Sequence, residues 1–252
     1  MDSTLVRHRV DLSWAKASRI HAATIVGFLL LLSQVVAAQS SYKYIRKNKE
    51  DYDLKPIHFG FYYALPFTRY NVTYSPAFLT SADSTLRITS PNNAGFRVGF
   101  TFNAYLNDNF DFRSNPGVSI YSRSVNYAMA SGNERTDVRE STWIELPFLI
   151  KYKSARRVNS RMYLIAGASV GIETNVRRRE AQSRGRLNTR TSDLSLEYGV
   201  GFEQFFQYFK FAPELRFSHG IPNVFTGAAA GSSSAGIQRL SSHSVTIYLN
   251  FE

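Results

Sequence analysis

The chain has 252 residues, 44% of them apolar and 14% aromatic, with no cysteine and a formal charge of +11. Zero cysteines exclude a disulfide framework and thiolate chemistry. A basic balance ordinarily directs attention to nucleic acid, but here the excess sits largely in residues 177–190, which hold six arginines and one glutamate.

In chain order, Arg7, Arg9, Lys16 and Arg19 precede the apolar run Ile25–Leu32, and Val36-Ala37-Ala38 supplies small residues for cleavage. Residues 1–38 therefore read as a signal peptide, with Gln39 as first mature residue. The run is too short to favour an uncleaved membrane anchor. Its removal takes four bases and two acids, leaving a balance of +9. No later stretch reaches the length of a spanning helix. An exported chain meets little nucleic acid, so none is expected as a partner. Residues 39–56, with Tyr42, Tyr44, Ile45 and Tyr52 among many charges, form a tail too charged to fold alone. Its aromatic residues mark it as a periplasmic docking segment.

From residue 57 the sequence repeats one unit, an alternating apolar–polar run followed by a spacer. Alternation at period 2 puts every second side chain on one face of a strand. The first run is Ile57–Leu65 and the second Ala94–Leu106, closed by the turn Asn107-Asp108-Asn109. The third spans Phe110 to Tyr127, with a kink or bulge expected at Pro116-Gly117. Ser141–Tyr152, Met162–Glu173, Asp193–Glu203, Phe209–Phe217 and Val245–Glu252 complete eight. An even number of such strands is the pattern of an outer-membrane barrel. Residues 57–252 are thus expected to form an all-β, eight-stranded antiparallel transmembrane barrel in the cell outer membrane. Long connections (66–93, 128–140, 177–191, 220–239) alternate with short ones (107–109, 154–160, 205–207), as extracellular loops alternate with periplasmic turns.

A soluble barrel of the lipocalin kind shares this period but turns its apolar face inward. Face composition separates the two. One face is rich in Phe and Leu and almost free of charge. The other carries Arg97, Arg113, Lys151, Lys210 and Arg216 with Asp111, Glu145, Glu173, Glu197, Glu203 and Glu214, interspersed with Gly60, Gly99, Gly167, Gly171, Gly199 and Gly201. Glycine suits a crowded lumen better than a solvated face. Tyr63, Tyr152, Tyr198 and Phe205, near strand ends, fit an aromatic girdle.

A barrel of this size has room only for its own side chains, so the inward charges are expected to pair into a structural plug. His219 and His243, with Ser218, Ser242 and Ser244 nearby, make a rim hydrolase conceivable, but no acid adjoins either histidine, and no enzyme activity is expected. Neither metal-ligand spacing nor a cofactor or small-molecule substrate motif occurs. Arg177, Arg178, Arg179, Arg184, Arg186 and Arg190 form a loop suited to lipopolysaccharide or another anionic partner, or simply to solvent.

Several elements are more particular than barrel alternation: Pro56-Ile57-His58-Phe59-Gly60, the stretch Glu140–Tyr152 with its Glu145-Leu146-Pro147, Tyr163-Leu164-Ile165-Ala166-Gly167, Glu197–Phe202, Tyr208–Phe217 with its Lys210-Phe211-Ala212-Pro213-Glu214-Leu215, and the final Asn250-Phe251-Glu252. In these the chain resembles the PorT family, outer-membrane barrels of the type IX secretion (Por) system of Bacteroidota that are also tied to gliding motility. The resemblance covers nearly all of the mature chain. It implies a non-enzymatic role in cargo export through other secretion-system proteins, and transfers no catalytic residue. The Arg-rich loop and the Ala/Gly/Ser-rich loop at 227–236 stand outside it. From the residues alone, an adhesin or ligand-binding barrel acting through its loops is the competing reading.

Overall fold

A computed structural model describes residues 46–76, 85–129, 134–174, 189–227 and 236–252. The expected signal peptide, Tyr42, Tyr44, Ile45 and most of the arginine-rich loop lie outside the described residues.

Eleven strands form one antiparallel sheet: β1 (Ile57–Tyr74), β2 (Thr85–Thr89), β3 (Asn93–Ala94), β4 (Phe96–Tyr105), β5 (Phe110–Ser114), β6 (Gly117–Met129), β7 (Glu134–Lys153), β8 (Ser160–Glu173), β9 (Ser192–Phe205), β10 (Lys210–Gly220) and β11 (Ile237–Phe251). β1 pairs with β11 on one side and with β3 and β4 on the other, so the sheet closes on itself. Closure leaves no free edge, a condition for strands in lipid.

The eleven strands make eight staves. β3 and β4 share one register against β1, and β5 and β6 share one register against β4 and β7. Each split has a proline behind it. Pro66 has no N–H to give the ladder, and its carbonyl accepts from Gly95, the residue separating β3 from β4. Pro116 interrupts the third stave where a kink was expected, and its carbonyl accepts from the Phe100 N–H at 3.0 Å. β2 continues the stave of β3 and β4, pairing with the upper part of β6 within one residue of the register that β4 holds against it.

Within the belt, apolar residues face outward and charges inward. On β1, Ile57, Phe59, Phe61, Tyr63, Leu65 and Phe67 are all exposed, while Tyr62 and Ala64 between them are buried. Exposed Phe and Leu against buried Arg and Glu is the inverse of a soluble barrel, so the lipocalin alternative is set aside. From Ile57 to Phe67 the run covers roughly 25 Å at a strand tilt of about 40°, the height of an outer-membrane apolar band.

Above Phe67 the pattern inverts. Tyr70, Val72 and Tyr74 turn inward, while Arg69, Asn71 and Thr73 occupy outward positions. On β11, Leu240 and Ile237 are buried, and Arg239 is exposed. There Tyr70, Ile88, Val125, Tyr127, Val224, Ile237 and Leu240 form an apolar cluster inside the sheet. The strands also run further than expected, with the phase change on β1 and β11 and without it on β7, where Val138 stays exposed and Arg139 buried. β1 runs nine residues past Leu65, β7 begins at Glu134 rather than Ser141, and β11 begins at Ile237 rather than Val245. The expected loops 66–93 and 128–140 shrink accordingly.

Phe205 also departs from expectation. It is fully buried rather than part of a lipid-facing girdle, because it shares the odd phase of Glu197 and Glu203 on β9. Tyr63, Tyr152 and Tyr198 are outward and nearly half exposed.

Candidate functional site

The lumen is filled from end to end by side chains that alternation sends inward. At the short-turn end a 3-10 turn, Glu50–Leu54, folds back over the mouth. Tyr52 enters it: its ring stacks on His58 at 3.8 Å and meets Phe205 edge-on at 5.3 Å. The Tyr52 hydroxyl donates to Glu252 Oε2 at 2.6 Å and accepts from Lys210 Nζ at 2.5 Å. Asp53 pairs with Arg161 at 2.8 Å and Arg156 at 3.6 Å. Asn48 bonds Asn159 and the Phe205 carbonyl. Residues 48–53 are thus held against the barrel, where sequence reasoning had expected a segment without structure of its own; the charges that argue against independent folding are matched by charges on the barrel rim.

One level deeper lies Glu203, which pairs with Lys151, Arg161 and Lys210. Lys210 also reaches Glu252 at 2.6 Å, and Asp111 lies 2.6 Å from Lys153 and 3.8 Å from Lys151. At mid-lumen Arg113 contacts Glu252 (2.7 Å) and Glu214 (3.4 Å), with the Tyr163 hydroxyl donating to Glu214 at 2.8 Å. Arg216 bridges Glu214 (2.5 Å) and Glu197 (3.0 Å). Above it Arg97 pairs with Glu145 at 2.5 Å and donates to the Tyr248 and Tyr62 hydroxyls. Glu173 pairs with Arg139 at 2.7 Å.

All eleven residues expected in a lumen charge network therefore face inward, and each has an ion-pair partner. Sequence reasoning missed Glu252, Arg161, Lys153, Arg139 and Arg123. Arg139, Lys153 and Arg161 continue the inward phase one or two residues past a strand end drawn too early, whereas Arg123 and Glu252 lie in the inward phase of runs already drawn and were legible there. The tyrosines that link levels, Tyr62, Tyr163 and Tyr248, lie in the same inward phase, so alternation gives their face but not the hydrogen-bond partners they meet across the lumen.

Near the long-loop end remains a cavity of about 30 Å³, enough for roughly two waters, lined by Arg123, Glu145, Asp193, Ser242 and others. The Arg123 guanidinium sits over the rings of Tyr121, Tyr70 and Trp143, at 4.7, 5.3 and 5.9 Å. The apolar cluster closes the barrel above.

The rim residues do not assemble a hydrolase. Ser218, Ser242 and Ser244 line the cavity, and Ser242 donates to Asp193. His219 and His243 instead face each other, Nδ1 to Nδ1 at 2.7 Å, with the Tyr198 hydroxyl 3.0 Å from His219 Nε2. Of the arginine loop only Arg190 is described; it is exposed, and its N–H donates to the Val224 carbonyl. Among the described residues no three His, Asp or Glu side chains converge as a metal site would require.

Docking of the tail carries a pH signature. Burial disfavours the Asp53 carboxylate, but Arg161 and Arg156 outweigh it and hold the group below its ordinary 3.8. Burial and the neighbouring Glu252 raise the Tyr52 phenol well above its ordinary 10. Asp53 therefore contributes fully above its undocked value, and the contribution disappears as pH falls through the lower docked one. Tyr52 contributes fully below 10 and stops as pH rises through its raised value. Amide exchange at Tyr52 and Lys55, corrected for intrinsic rates, should show constant protection from about pH 4 to 10 and a loss below. A loss near neutrality would contradict this assignment.

A closed barrel with a lipid-facing apolar belt and an ion-paired interior defines an outer-membrane β-barrel. The chain belongs to the outer membrane protein beta-barrel domain family, whose model matches residues 37–226. No curated protein sequence matches it. Among solved structures it is similar to the outer membrane protein OprG of Pseudomonas aeruginosa, at 13% identity over 77% of this chain and 92% of that one, with a TM-score of 0.46. It is also similar to Neisserial surface protein A, at 10% identity over 78% and 98%, with a TM-score of 0.42. The protein resides in the outer membrane.

Proposed function

We propose that this protein is a non-enzymatic barrel of the type IX secretion machinery, supporting cargo export and gliding motility through surfaces it offers to other components. The observation that carries the reading is the filled lumen: Tyr52 at one mouth, the ion-paired ladder through the middle and the apolar cluster at the other end leave no route for cargo. A barrel that passes nothing acts through contacts. The sequence elements that resemble the PorT family support the same reading, since Glu145, Lys210 and Glu214 from those elements belong to the ladder. Long loops face the cell exterior by the general rule for such barrels, so the tail and its exposed Leu54 face the periplasm, where energised parts of the machine approach.

Deleting the gene should abolish release of cargo into the medium while cargo synthesis continues, and the intact gene supplied in trans should restore it. Normal release from the deletion strain would overturn the reading. Normal release with lost surface attachment would favour the adhesin alternative.

A further inference from the structure

We propose that the outward-facing row Arg69–His243–His219 binds the phosphorylated headgroup of an anionic glycolipid in the outer leaflet. The inference stands on the barrel's membership of the outer membrane and is independent of the secretion role.

The row is set by register. Arg69 of β1 lies opposite His243 of β11, and His243 lies opposite His219 of β10. Directly opposed residues on one face lie within about 5.5 Å at Cβ. All three occupy outward positions, two beyond the last apolar residue of the belt on each strand: Phe67, Val245 and Phe217. On β1 and β11 the alternation inverts at this same level, placing the row at the boundary between hydrocarbon and headgroup. The neighbouring Tyr198 is outward as well and reaches the His219 ring, a side chain suited to that interface.

Charge distribution selects the occupant. Among the described residues no carboxylate occupies an outward position of β9, β10, β11 or β1, and Arg239 adds a second cation above His243. Across the barrel the order differs: β7 follows Ile144 outward with Thr142 and then the exposed Glu140, and β8 follows Ile172 with Thr174. One sector of the rim is therefore cationic, and it adjoins an apolar wall formed by Phe67, Val245, Phe217 and Leu196. Arginine binds phosphate oxygens with two parallel N–H donors, and imidazole adds a donor and, when protonated, a charge. A lipid with a phosphate at headgroup depth and acyl chains below meets both halves of the surface at once. A soluble anion would use only the upper half. Two imidazoles alone offer too few ligands for a structural metal site.

The test uses the purified full-length barrel in neutral detergent, incubated separately with diphosphorylated lipid A, dephosphorylated lipid A and phosphatidylcholine, with retained lipid counted by native mass spectrometry. The wild-type barrel should retain the diphosphorylated lipid preferentially. The Arg69→Gln/His219→Gln/His243→Gln variant should retain about ten-fold less, and Glu140→Gln should change nothing. Heat-modifiable gel migration establishes that each variant is folded, and Arg69→Gln alone, expected to lose about three-fold, serves if the triple variant does not fold. Equal retention by wild type and variant, or equal retention of dephosphorylated lipid, overturns the proposal. Displacement of lipid A by an equal concentration of inorganic phosphate also overturns it, because the row would then be a soluble-anion site.

Discussion

Replacing Glu203 by alanine is expected to destabilise the barrel more than any other single removal of a charge. Glu203 is fully buried and receives Lys151, Arg161 and Lys210, with Arg113 at 3.9 Å. Removing one partner of a buried pair costs on the order of 3–5 kcal/mol, since the charges left behind have lost their solvent as well as their counterion. Here several cations face each other across the vacated space, and Asp111 remains as the nearest other acid for Lys151. The variant should lose heat-modifiable migration at markedly lower temperature and unfold at lower urea concentration in detergent. Glu203→Gln, which keeps volume and a hydrogen-bond acceptor, should lose less. Glu145→Ala should also lose less, because Glu145 borders the small cavity, where water can solvate what remains. Unchanged stability of Glu203→Ala would mean that the lumen is hydrated rather than plugged.

The second large effect is steric. A Cβ on Gly201 would fall 2.2 Å from Tyr163 Cζ and 2.3 Å from its hydroxyl. Tyr163 is 2% exposed and has nowhere to go: its hydroxyl donates to Glu214, and Lys151 and Arg113 sit over its ring at 4.6 and 5.3 Å. Gly201→Val is therefore expected to cost roughly 3–5 kcal/mol, combining overpacking with loss of the hydrogen bond to Glu214. The double variant with Tyr163→Ala should be more stable than the sum of the two single losses predicts, since the clash is then gone. Strict additivity of the two losses would show that the ring is not the obstacle. At Gly167 the neighbour is instead the Phe148 carbonyl, 2.1 Å from an added Cβ. Luminal glycines thus serve two purposes, admitting a ring in one place and a neighbouring backbone in another.

The tail shows a different limit on what sequence conveys. Its charge density argues against folding alone. The same charges dock it, because Asp53 finds Arg161 and Tyr52 finds Lys210 and Glu252. Nothing local to residues 47–55 signals this. Its partners are more than 100 residues away in the chain and meet only when the barrel closes.

The period-2 alternation, the short and long connections and the segregation of charge from Phe and Leu determined the class of fold, the number of staves and which residues face inward. These are local properties, because a strand reports its two faces through its own residues. Tertiary structure alone decided which acid meets which base, since inward charges from eight staves have many possible pairings and closure selects among them. It also decided where the membrane ends. The change of apolar phase after Phe67 is visible in the sequence as Tyr70, Val72 and Tyr74, yet it reads as the end of a strand. Only the continued pairing of β1 with β11 reveals one strand passing from lipid, which demands apolar residues outside, into water, which demands them inside.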